Sequence, residues 1–311
     1  MTCLIAPAKL TLYLDAGAVR PDGYHALTVV FCALEDGDRV DVEPASKLSL
    51  ACEPAVGVPD AENLAWRAAV AMGNAFDRSP DFAMRIDKRI PACGGLGGGS
   101  GDAAAVIAAI AAAWGVDRND PRLEAVARTL GADVAFPLHG GCAVYGGRGD
   151  VRKRTLPAPP VHFAIVSAGE PVSTAAAYAA LDAAPRVAAP GPRAVTDALV
   201  FRDPVALGAA LFNNMTAAAC GLTPSVTDAL ALVRSADGCL GAIVAGSGSS
   251  VFGVFAEAGA AEAVVREAAA RGWWSLATRP RAGGTLDQTL GVREPAPIRH
   301  PRGDDRGGQY S

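Results

Sequence analysis

The distribution of apolar and polar residues predicts a chain in which strands and helices alternate. Strands are indicated where side chains alternate in polarity, or where short apolar runs end at turn residues. Helices are indicated where apolar residues recur every three or four positions. The predicted strands are residues 4–14, 26–34, 82–86, 161–166, 241–244 and 251–255. The predicted helices are residues 62–76, 103–114, 121–130, 174–181 and 260–271. This mixture predicts an α+β fold.

The first predicted strand carries a lysine among apolar residues. One face of it is formed by Leu4, Ala6, Ala8, Leu10, Leu12 and Leu14. The other face carries Lys9, Thr11 and Tyr13. A turn at residues 20–23 joins it to the second predicted strand, which Glu-Asp-Gly-Asp at 35–38 is expected to end. The two strands are therefore predicted to form a hairpin.

The length and the proline pattern predict two domains. A chain of 311 residues suffices for about two domains, and three prolines between residues 156 and 160 indicate the junction. We expect an N-terminal domain at 1–155 and a C-terminal domain at 156–292. Residues 293–311 are rich in Pro, Arg, Gly and Asp, so they are predicted to be a disordered tail.

Charge and cysteine usage exclude several classes of protein. The 28 basic and 32 acidic residues give a net charge of −4, which is the wrong sign for a protein whose main partner is nucleic acid. The seven cysteines are scattered and never spaced as CxxC, which argues against a zinc site and against a disulfide framework. No leader and no apolar run of about 18 residues are evident, so we expect a cytoplasmic protein without a membrane partner.

A glycine cluster lies between a predicted strand and a predicted helix. Five glycines fall within residues 94–99, and such a loop lets backbone approach a ligand closely. Unpaired N–H groups and the positive end of the helix dipole converge there, which is the chemistry that holds phosphate. A flexible connector is the alternative. A Walker loop is excluded because the chain has no Gly-Lys dipeptide, and the spacing departs from the dinucleotide fingerprint.

Residues 91–104 resemble the phosphate-binding signature of the GHMP kinases. Residues 6–9 and 246–250 resemble the first and third motifs of that family. The resemblance implies a two-domain GHMP kinase fold with the active site in the interdomain cleft, and ATP with Mg²⁺ as cofactor. Gly101 stands where the family usually has a second serine, so hydroxyl contacts to phosphate or Mg²⁺ rest on Ser100 alone. The implied ATP-binding residues are Pro91, Ala92, Cys93, Gly94, Gly95, Leu96, Gly97, Gly98, Gly99, Ser100, Gly101, Asn63, Gly246, Ser247 and Gly248.

Four segments resemble one branch of the GHMP kinases more closely: residues 6–12, 20–25, 131–136 and 174–181. That branch phosphorylates the 2-hydroxyl of a cytidine diphosphate-linked methylerythritol, in the non-mevalonate route to isoprenoid precursors. The resemblance implies that Lys9 and Asp133 are catalytic. It also implies a substrate site in which Tyr24 and Tyr178 stack on cytosine and His25 reads its edge. At 213–214 the chain has Asn-Asn where Asn-Asp is usual.

Each of these residues also has an ordinary structural explanation. Alone, Lys9 suggests an exposed strand face, Asp133 or Asn63 a cap, and Tyr178 a core position. Tyr24 and His25 suit a surface turn. The alternatives in function are a homoserine- or mevalonate-type GHMP kinase and a catalytically silent nucleotide-binding regulator. The histidines lack metal-ligand spacing, so no protein metal site is assigned, and we expect a monomer or homodimer.

Overall fold

The structure, a computed structural model, describes residues 1–185 and 188–288. Residues 186–187 and the predicted tail at 293–311 lie outside the described residues. The strands are β1 (Thr2–Val19), β2 (His25–Pro44), β3 (Ser49–Glu53), β4 (Phe82–Asp87), β5 (Cys142–Gly146), β6 (Val151–Leu156), β7 (His162–Ser167), β8 (Phe212–Asn213), β9 (Cys239–Val244), β10 (Val251–Phe255) and β11 (Trp274–Thr278). The α-helices are α1 (Leu64–Phe76), α2 (Gly98–Ala113), α3 (Pro121–Leu130), α4 (Ala135–His139), α5 (Thr174–Ala183), α6 (Arg193–Phe201), α7 (Pro204–Ala210), α8 (Thr216–Leu222), α9 (Pro224–Arg234) and α10 (Ala258–Ala270).

The strands of the described residues form two sheets. In the first the order is β3-β4-β2-β1-β8, with β5 joined to β2 and β6 joined to β5. In the second the order is β11-β7-β10-β9, and every pair is antiparallel. The predicted hairpin is confirmed as the long antiparallel ladder of β1 and β2. The α+β fold expected from the pattern is present.

In the described part of the chain, three apolar clusters hold the sheets and helices together. One lies between the first sheet and α1, α2 and α3. The other two each contain residues of both sheets, such as Leu10 with Phe252 in one and Val29 with Val166 in the other. The two sheets are therefore joined through apolar packing.

A bulge in β1 divides the row of apolar residues predicted for one face. The register with β2 shifts between Pro7 and Lys9. As a result Leu4 and Ala6 pack in the cluster under α2, whereas Leu10 packs in a cluster shared with the second sheet. β1 consequently has buried side chains on both faces from residue 6 to residue 14.

The expected end of the second strand at residues 35–38 is wrong, because β2 continues to Pro44. A Cβ on Gly37 would lie 1.8 Å from the Ala6 carbonyl oxygen, so this glycine allows two strands to approach closely and is not a turn residue. The helix expected from residue 103 starts at Gly98, inside the glycine cluster. Short elements absent from the prediction include β3, β5, β6, β11, α6, α7 and α9.

Backbone pairing joins the second half of the chain to the first sheet through β8 and through the last of the described residues. β8 pairs with β1, and residues 280–288 return to the first sheet, where Pro280 bridges to Leu34. The Gln288 side chain accepts from the Ile5 N–H at 2.9 Å and donates to the Ile5 carbonyl oxygen at 2.5 Å. The domain division at residue 155 stays a prediction. None of the described helices has the length and apolarity that a membrane crossing requires.

Candidate active site

A cavity of about 700 Å³ is lined by several of the residues singled out in the sequence. Its wall includes Lys9, Tyr24, Asp133, Tyr178, Gly97 and Gly246. These residues come from β1, the loops after β1 and α3, helix α5, and two glycine loops. The first glycine loop is residues 94–100, and the second is residues 246–250. Residues that are far apart in the chain therefore meet at one opening.

The first glycine loop presents free backbone donors. Gly95 and Gly97 have φ of +75° and +71°, which favour glycine, and a Cβ on Gly95 would lie 2.1 Å from the Ala245 carbonyl oxygen. Within residues 1–185 and 188–288, no partner is found for the N–H groups of residues 94–100. α2 begins at Gly98, so its positive end lies at the same place. This arrangement fits an anion such as phosphate.

The second glycine loop packs directly against the first. The Ser250 N–H donates to the Gly94 carbonyl oxygen at 3.2 Å. The buried Asn213 amide donates to the carbonyl oxygens of Val244 at 2.9 Å and Gly246 at 2.7 Å, which fixes the start of the second loop. No pattern in the sequence indicates this role for Asn213. The side chain of the adjacent Asn214 accepts from the Ala16 N–H and donates to the Ala16 carbonyl oxygen, both at 3.1 Å. The asparagine at position 214, where the family usually has aspartate, therefore binds the backbone of β1.

Lys9 and Asp133 form an ion pair at the cavity wall. Lys9 Nζ lies 3.6 Å from Asp133 Oδ2, and the lysine side chain is 6% exposed against 41% for the aspartate. Lys9 Nζ also donates to Thr11 Oγ1 at 3.2 Å and lies 5.1 Å from the Phe31 ring centroid. The Lys9 N–H donates to the Leu96 carbonyl oxygen at 2.9 Å, which ties β1 to the first glycine loop. The exposed strand face considered for Lys9 is therefore wrong.

The aromatic residues of the predicted substrate site lie near one another. Tyr24 and Tyr178 both line the cavity, and Tyr24 is largely exposed. The His25 ring stacks on Tyr178 with centroids 4.7 Å apart. His25 Nδ1 donates to the Gly17 carbonyl oxygen at 2.8 Å, and Nε2 lies 3.3 Å from Asp182 Oδ2. Both ring nitrogens of His25 thus have partners within the protein, and burial raises the pKa of Tyr178 to about 12.

The predicted ATP-binding residues do not all reach the cavity. Those on its wall are Cys93, Gly95, Gly97, Gly246, Ser247 and Gly248. Asn63 is the N-cap of α1 and accepts from the Ala65 N–H at 2.9 Å, so the capping alternative is observed. Pro91, Ala92, Gly94, Leu96 and residues 98–101 are not among the residues that line the cavity.

Gly101 has a packing role that explains the missing serine. The residue is buried in the first turn of α2, and a Cβ there would lie 2.9 Å from the Pro7 carbonyl oxygen. Glycine therefore lets α2 approach the bulge of β1, next to Lys9.

A buried charged cluster contacts the residues on both sides of the first glycine loop. Lys88 Nζ donates to Asp38 Oδ2 and, at 2.8 Å, to Asp102 Oδ2. Asp38 Oδ1 accepts from the backbone N–H groups of Arg89 at 2.6 Å and Ile90 at 2.9 Å. Burial, reinforced by the nearby Asp38 carboxylate, raises the pKa of Asp102 to about 7. The sequence does not indicate this cluster, because Asp38 stands among residues typical of a turn and lies 50 positions from Lys88.

Comparisons with known proteins identify the family. Residues 63–145 match the family model described as GHMP kinases N terminal domain, and residues 195–272 match GHMP kinases C terminal. The chain is 40% identical over 276 residues to a 4-diphosphocytidyl-2-C-methyl-D-erythritol kinase of Nocardia farcinica, covering 86% of this chain and 89% of the relative. It is 43% identical over 253 residues to the protein of the same name of Mycobacterium tuberculosis strain H37Rv, covering 78% of each.

Solved structures extend the comparison. A crystal structure of 4-(cytidine 5'-diphospho)-2C-methyl-D-erythritol kinase matches with a TM-score of 0.74 and 33% identity, covering 91% of this chain and 99% of that one. A crystal structure of mevalonate kinase has a TM-score of 0.66 at 14% identity, covering 91% of this chain and 100% of that one, and shows likeness of fold alone.

The fold and the paired glycine loops are those of a small-molecule kinase of the GHMP class. Within that class the chain belongs to the family of 4-diphosphocytidyl-2-C-methyl-D-erythritol kinases.

Proposed function

We propose that the protein transfers the γ-phosphoryl group of ATP to the 2-hydroxyl of 4-diphosphocytidyl-2-C-methyl-D-erythritol. The observation that carries this proposal is the ion pair of Lys9 and Asp133, 3.6 Å apart, beside a loop whose N–H groups at 94–100 have no partner in the described part of the chain. A phosphate donor and an alcohol can both be bound where these features meet. The name shared by the relatives supplies the acceptor.

The first glycine loop is the proposed site of the triphosphate. Its free N–H groups and the start of α2 complement negative charge without a bulky side chain. The second loop, Gly246 to Gly248, faces the same cavity and would cover the nucleotide from the other side. Asn63 caps the neighbouring helix and is the proposed contact for the adenine base.

Lys9 and Asp133 are the proposed catalytic residues. Asp133 is exposed to the cavity and would orient the acceptor hydroxyl and accept its proton. Lys9 is buried beside it and would stabilise the charge that develops on the transferring group. Phosphoryl transfer usually passes through a loose transition state, so alignment and electrostatics supply most of the rate.

Tyr24, Tyr178 and His25 are the proposed cytidine site. A cytosine ring stacked on such tyrosines gains about 1–3 kcal/mol per contact. His25 covers one face of Tyr178, so only the other face is open to a base. We expect His25 to orient Tyr178, and to read the edge of the base only when its contact with Asp182 is released.

Mg²⁺ is expected to arrive as the ATP complex. In the part of the chain that the structure describes, no three His, Cys, Asp or Glu residues are grouped to hold a metal ion. The ligands would be phosphate oxygens and water, with the Ser100 hydroxyl as the contact that the family resemblance implies, which suits an ion that keeps several of its waters. Bound there, Mg²⁺ would neutralise phosphate charge.

The test is ADP release measured with a panel of alcohols: the cytidyl methylerythritol substrate, homoserine and mevalonate. We expect turnover with the cytidyl substrate, and loss of that turnover in Lys9→Ala. Turnover with homoserine or mevalonate alone would favour the alternative kinases. Nucleotide binding without phosphorylation of any alcohol would favour a regulator.

A further inference from the structure

Arg148 is a positively charged residue on the cavity wall. It belongs neither to the proposed nucleotide site nor to the proposed catalytic pair. It lies in the turn of residues 147–150 that joins β5 to β6. Lys9 and Arg148 are the positively charged side chains on the cavity wall, among the residues described. Lys9 is already paired with Asp133 and bonded to Thr11. Arg148 is also paired, with Asp150 at 3.3 Å, but only through Nη2, so its guanidinium keeps donors for a second anionic group.

The turn and Asp150 together orient the Arg148 side chain. Gly147 and Gly149 have φ of +71° and +93°, and the Gly147 carbonyl oxygen accepts from the Leu27 N–H at 2.8 Å. The Arg148 N–H donates to Asp150 Oδ1 at 3.0 Å, and Nη2 donates to Asp150 Oδ2 at 3.3 Å. Among residues 1–185 and 188–288, the guanidinium nitrogens Nε and Nη1 have no hydrogen-bond partner. Arg148 thus presents unused donors from a fixed turn.

The position of the turn links the two proposed parts of the substrate site. The guanidinium carbon of Arg148 lies 5.0 Å from the centroid of the Tyr24 ring. On the other side, a Cβ on Gly149 would lie 3.9 Å from Asp133 Oδ1. Asp22 also faces this region, but its carboxylate accepts from Arg20 at 3.0 Å. The turn therefore lies between the aromatic wall and the catalytic carboxylate.

Building on the proposed function, we propose that Arg148 binds the diphosphate of the cytidyl substrate. In this substrate the diphosphate joins the cytidine to the methylerythritol. With cytosine at Tyr24 and the reacting hydroxyl at Asp133, the diphosphate must pass Arg148. A guanidinium matches two phosphate oxygens at once, which a lysine ammonium does not. Arg148 is thus a specificity residue that distinguishes a diphosphate-linked alcohol from a simple one.

The experiment compares Arg148→Gln and Arg148→Lys with the matched control Arg154→Gln. Arg154 is an exposed arginine of β6, in the same hairpin, and its substitution removes the same charge. Each protein is assayed at saturating ATP, and cytidine and CDP are used as competitive inhibitors against the cytidyl substrate. The two inhibition constants separate recognition of the base from recognition of the diphosphate.

We expect Arg148→Gln to raise KM for the cytidyl substrate and the inhibition constant of CDP at least about ten-fold, the usual scale of a charge-assisted hydrogen bond. KM for ATP and the inhibition constant of cytidine should change less than about two-fold. Arg148→Lys should fall between wild type and Arg148→Gln, and Arg154→Gln should match wild type.

Two results would overturn the inference while leaving the proposed function intact. In one, Arg148→Gln keeps the wild-type preference for CDP over cytidine. In the other, cytidine and CDP weaken equally, which would mean that Arg148 acts only by supporting Tyr24. A wild-type protein that does not phosphorylate the cytidyl substrate would overturn the proposed function itself, and this inference with it.

Discussion

Lys9 is a charged side chain held inside a sheet by three different contacts. The carboxylate of Asp133, the hydroxyl of Thr11 and the ring of Phe31 surround its ammonium group. The backbone of the same residue bonds the first glycine loop. A shift in that loop would therefore move the lysine as well, which couples the proposed phosphate site to the proposed catalytic pair.

Replacing Asp133 by asparagine should separate chemistry from binding. The amide keeps the size of the side chain but can neither accept the hydroxyl proton nor pair with Lys9. We expect kcat to fall about 10²-fold or more, the usual scale of a positioned acid or base. KM for ATP should stay within a few-fold, because the loop at 94–100 is unchanged. Steady-state kinetics measures both, and near-normal turnover would remove Asp133 from the mechanism.

Restoring the family serine at position 101 should harm this protein. A Cβ on Gly101 would lie 2.9 Å from the Pro7 carbonyl oxygen, so α2 or β1 must shift to admit it. We expect Gly101→Ser to lower the free energy of unfolding by about 1–3 kcal/mol. Urea unfolding measures this value, with Gly259→Ser as control because a Cβ there has no neighbour within 4 Å. Unchanged stability with tighter ATP binding would show that Gly101 is not a packing residue.

At the scale of elements, the first glycine loop is held between β4 and α2 by the cluster of Asp38, Lys88 and Asp102. Asp38 bonds the backbone just before the loop, and Asp102 lies in α2 just after it. Lys88 bridges the two carboxylates. Both ends of the loop are therefore fixed to one buried group of charges.

This cluster should make stability depend on pH. The pKa of Asp102 is raised to about 7 by burial, helped by the nearby Asp38 carboxylate. An acid with a raised pKa in the folded state stabilises the fold below its unfolded pKa, and this contribution is lost as pH rises through the folded value. From about pH 5 to about pH 8, wild type should thus lose stability relative to Asp102→Asn, by on the order of 1 kcal/mol.

Urea unfolding at several pH values measures that difference. Asp228→Asn, an exposed position in α9, is the matched control and should follow the wild-type curve. Parallel curves for wild type and Asp102→Asn would contradict the assignment of the titration to Asp102.

The elements that the sequence predicted are those with strong local signals. The periodicity of α3 and the alternation in β1 and β4 identified these elements. The bounds of α3 and β4 agree within one residue, whereas β1 runs five residues beyond its predicted end. The turn residues at 35–38 led to a wrong prediction of a strand end. Gly37 instead allows a close contact with Ala6, which is distant in the chain. Short elements such as β11 carry too few residues to show a period.

The site was predictable only in part for the same reason. Sequence motifs identified Lys9, Asp133 and both glycine loops as site candidates. In the structure, Lys9, Asp133 and residues of both loops line one cavity. Asn213 and the Asp38 cluster act through buried contacts with distant backbone, which no local pattern encodes. Arg148 was missed because a turn arginine next to glycines is ordinary in a sequence, and only the fold brings it beside Tyr24.

At the scale of the molecule, the two sheets share their apolar cores. Two of the three clusters draw residues from both sheets, and residues 280–288 tie the end of the described chain to the first sheet. Relative motion of domains is the usual expectation unless their interface is large and hydrophobic. We therefore expect the loops to adjust around ligands without a large opening of the two sheets.

Shared cores should make unfolding a single transition. Calorimetry is expected to give one peak, with the calorimetric enthalpy equal to the van't Hoff enthalpy within error. Gln288→Ala removes the bonds to Ile5 and should lower Tm without splitting the peak. Two resolved transitions in the wild-type protein would contradict the view that the sheets form one cooperative unit.

The most direct test of the central claim is a crystal structure of the protein with a non-hydrolysable ATP analogue and the cytidyl methylerythritol. The account predicts that the β- and γ-phosphates accept hydrogen bonds from the N–H groups of residues 94–100. It also predicts the 2-hydroxyl within hydrogen-bond distance of Asp133, with Lys9 Nζ beside the γ-phosphate. Phosphates bound away from residues 94–100, or an acceptor hydroxyl out of reach of Asp133, would contradict it.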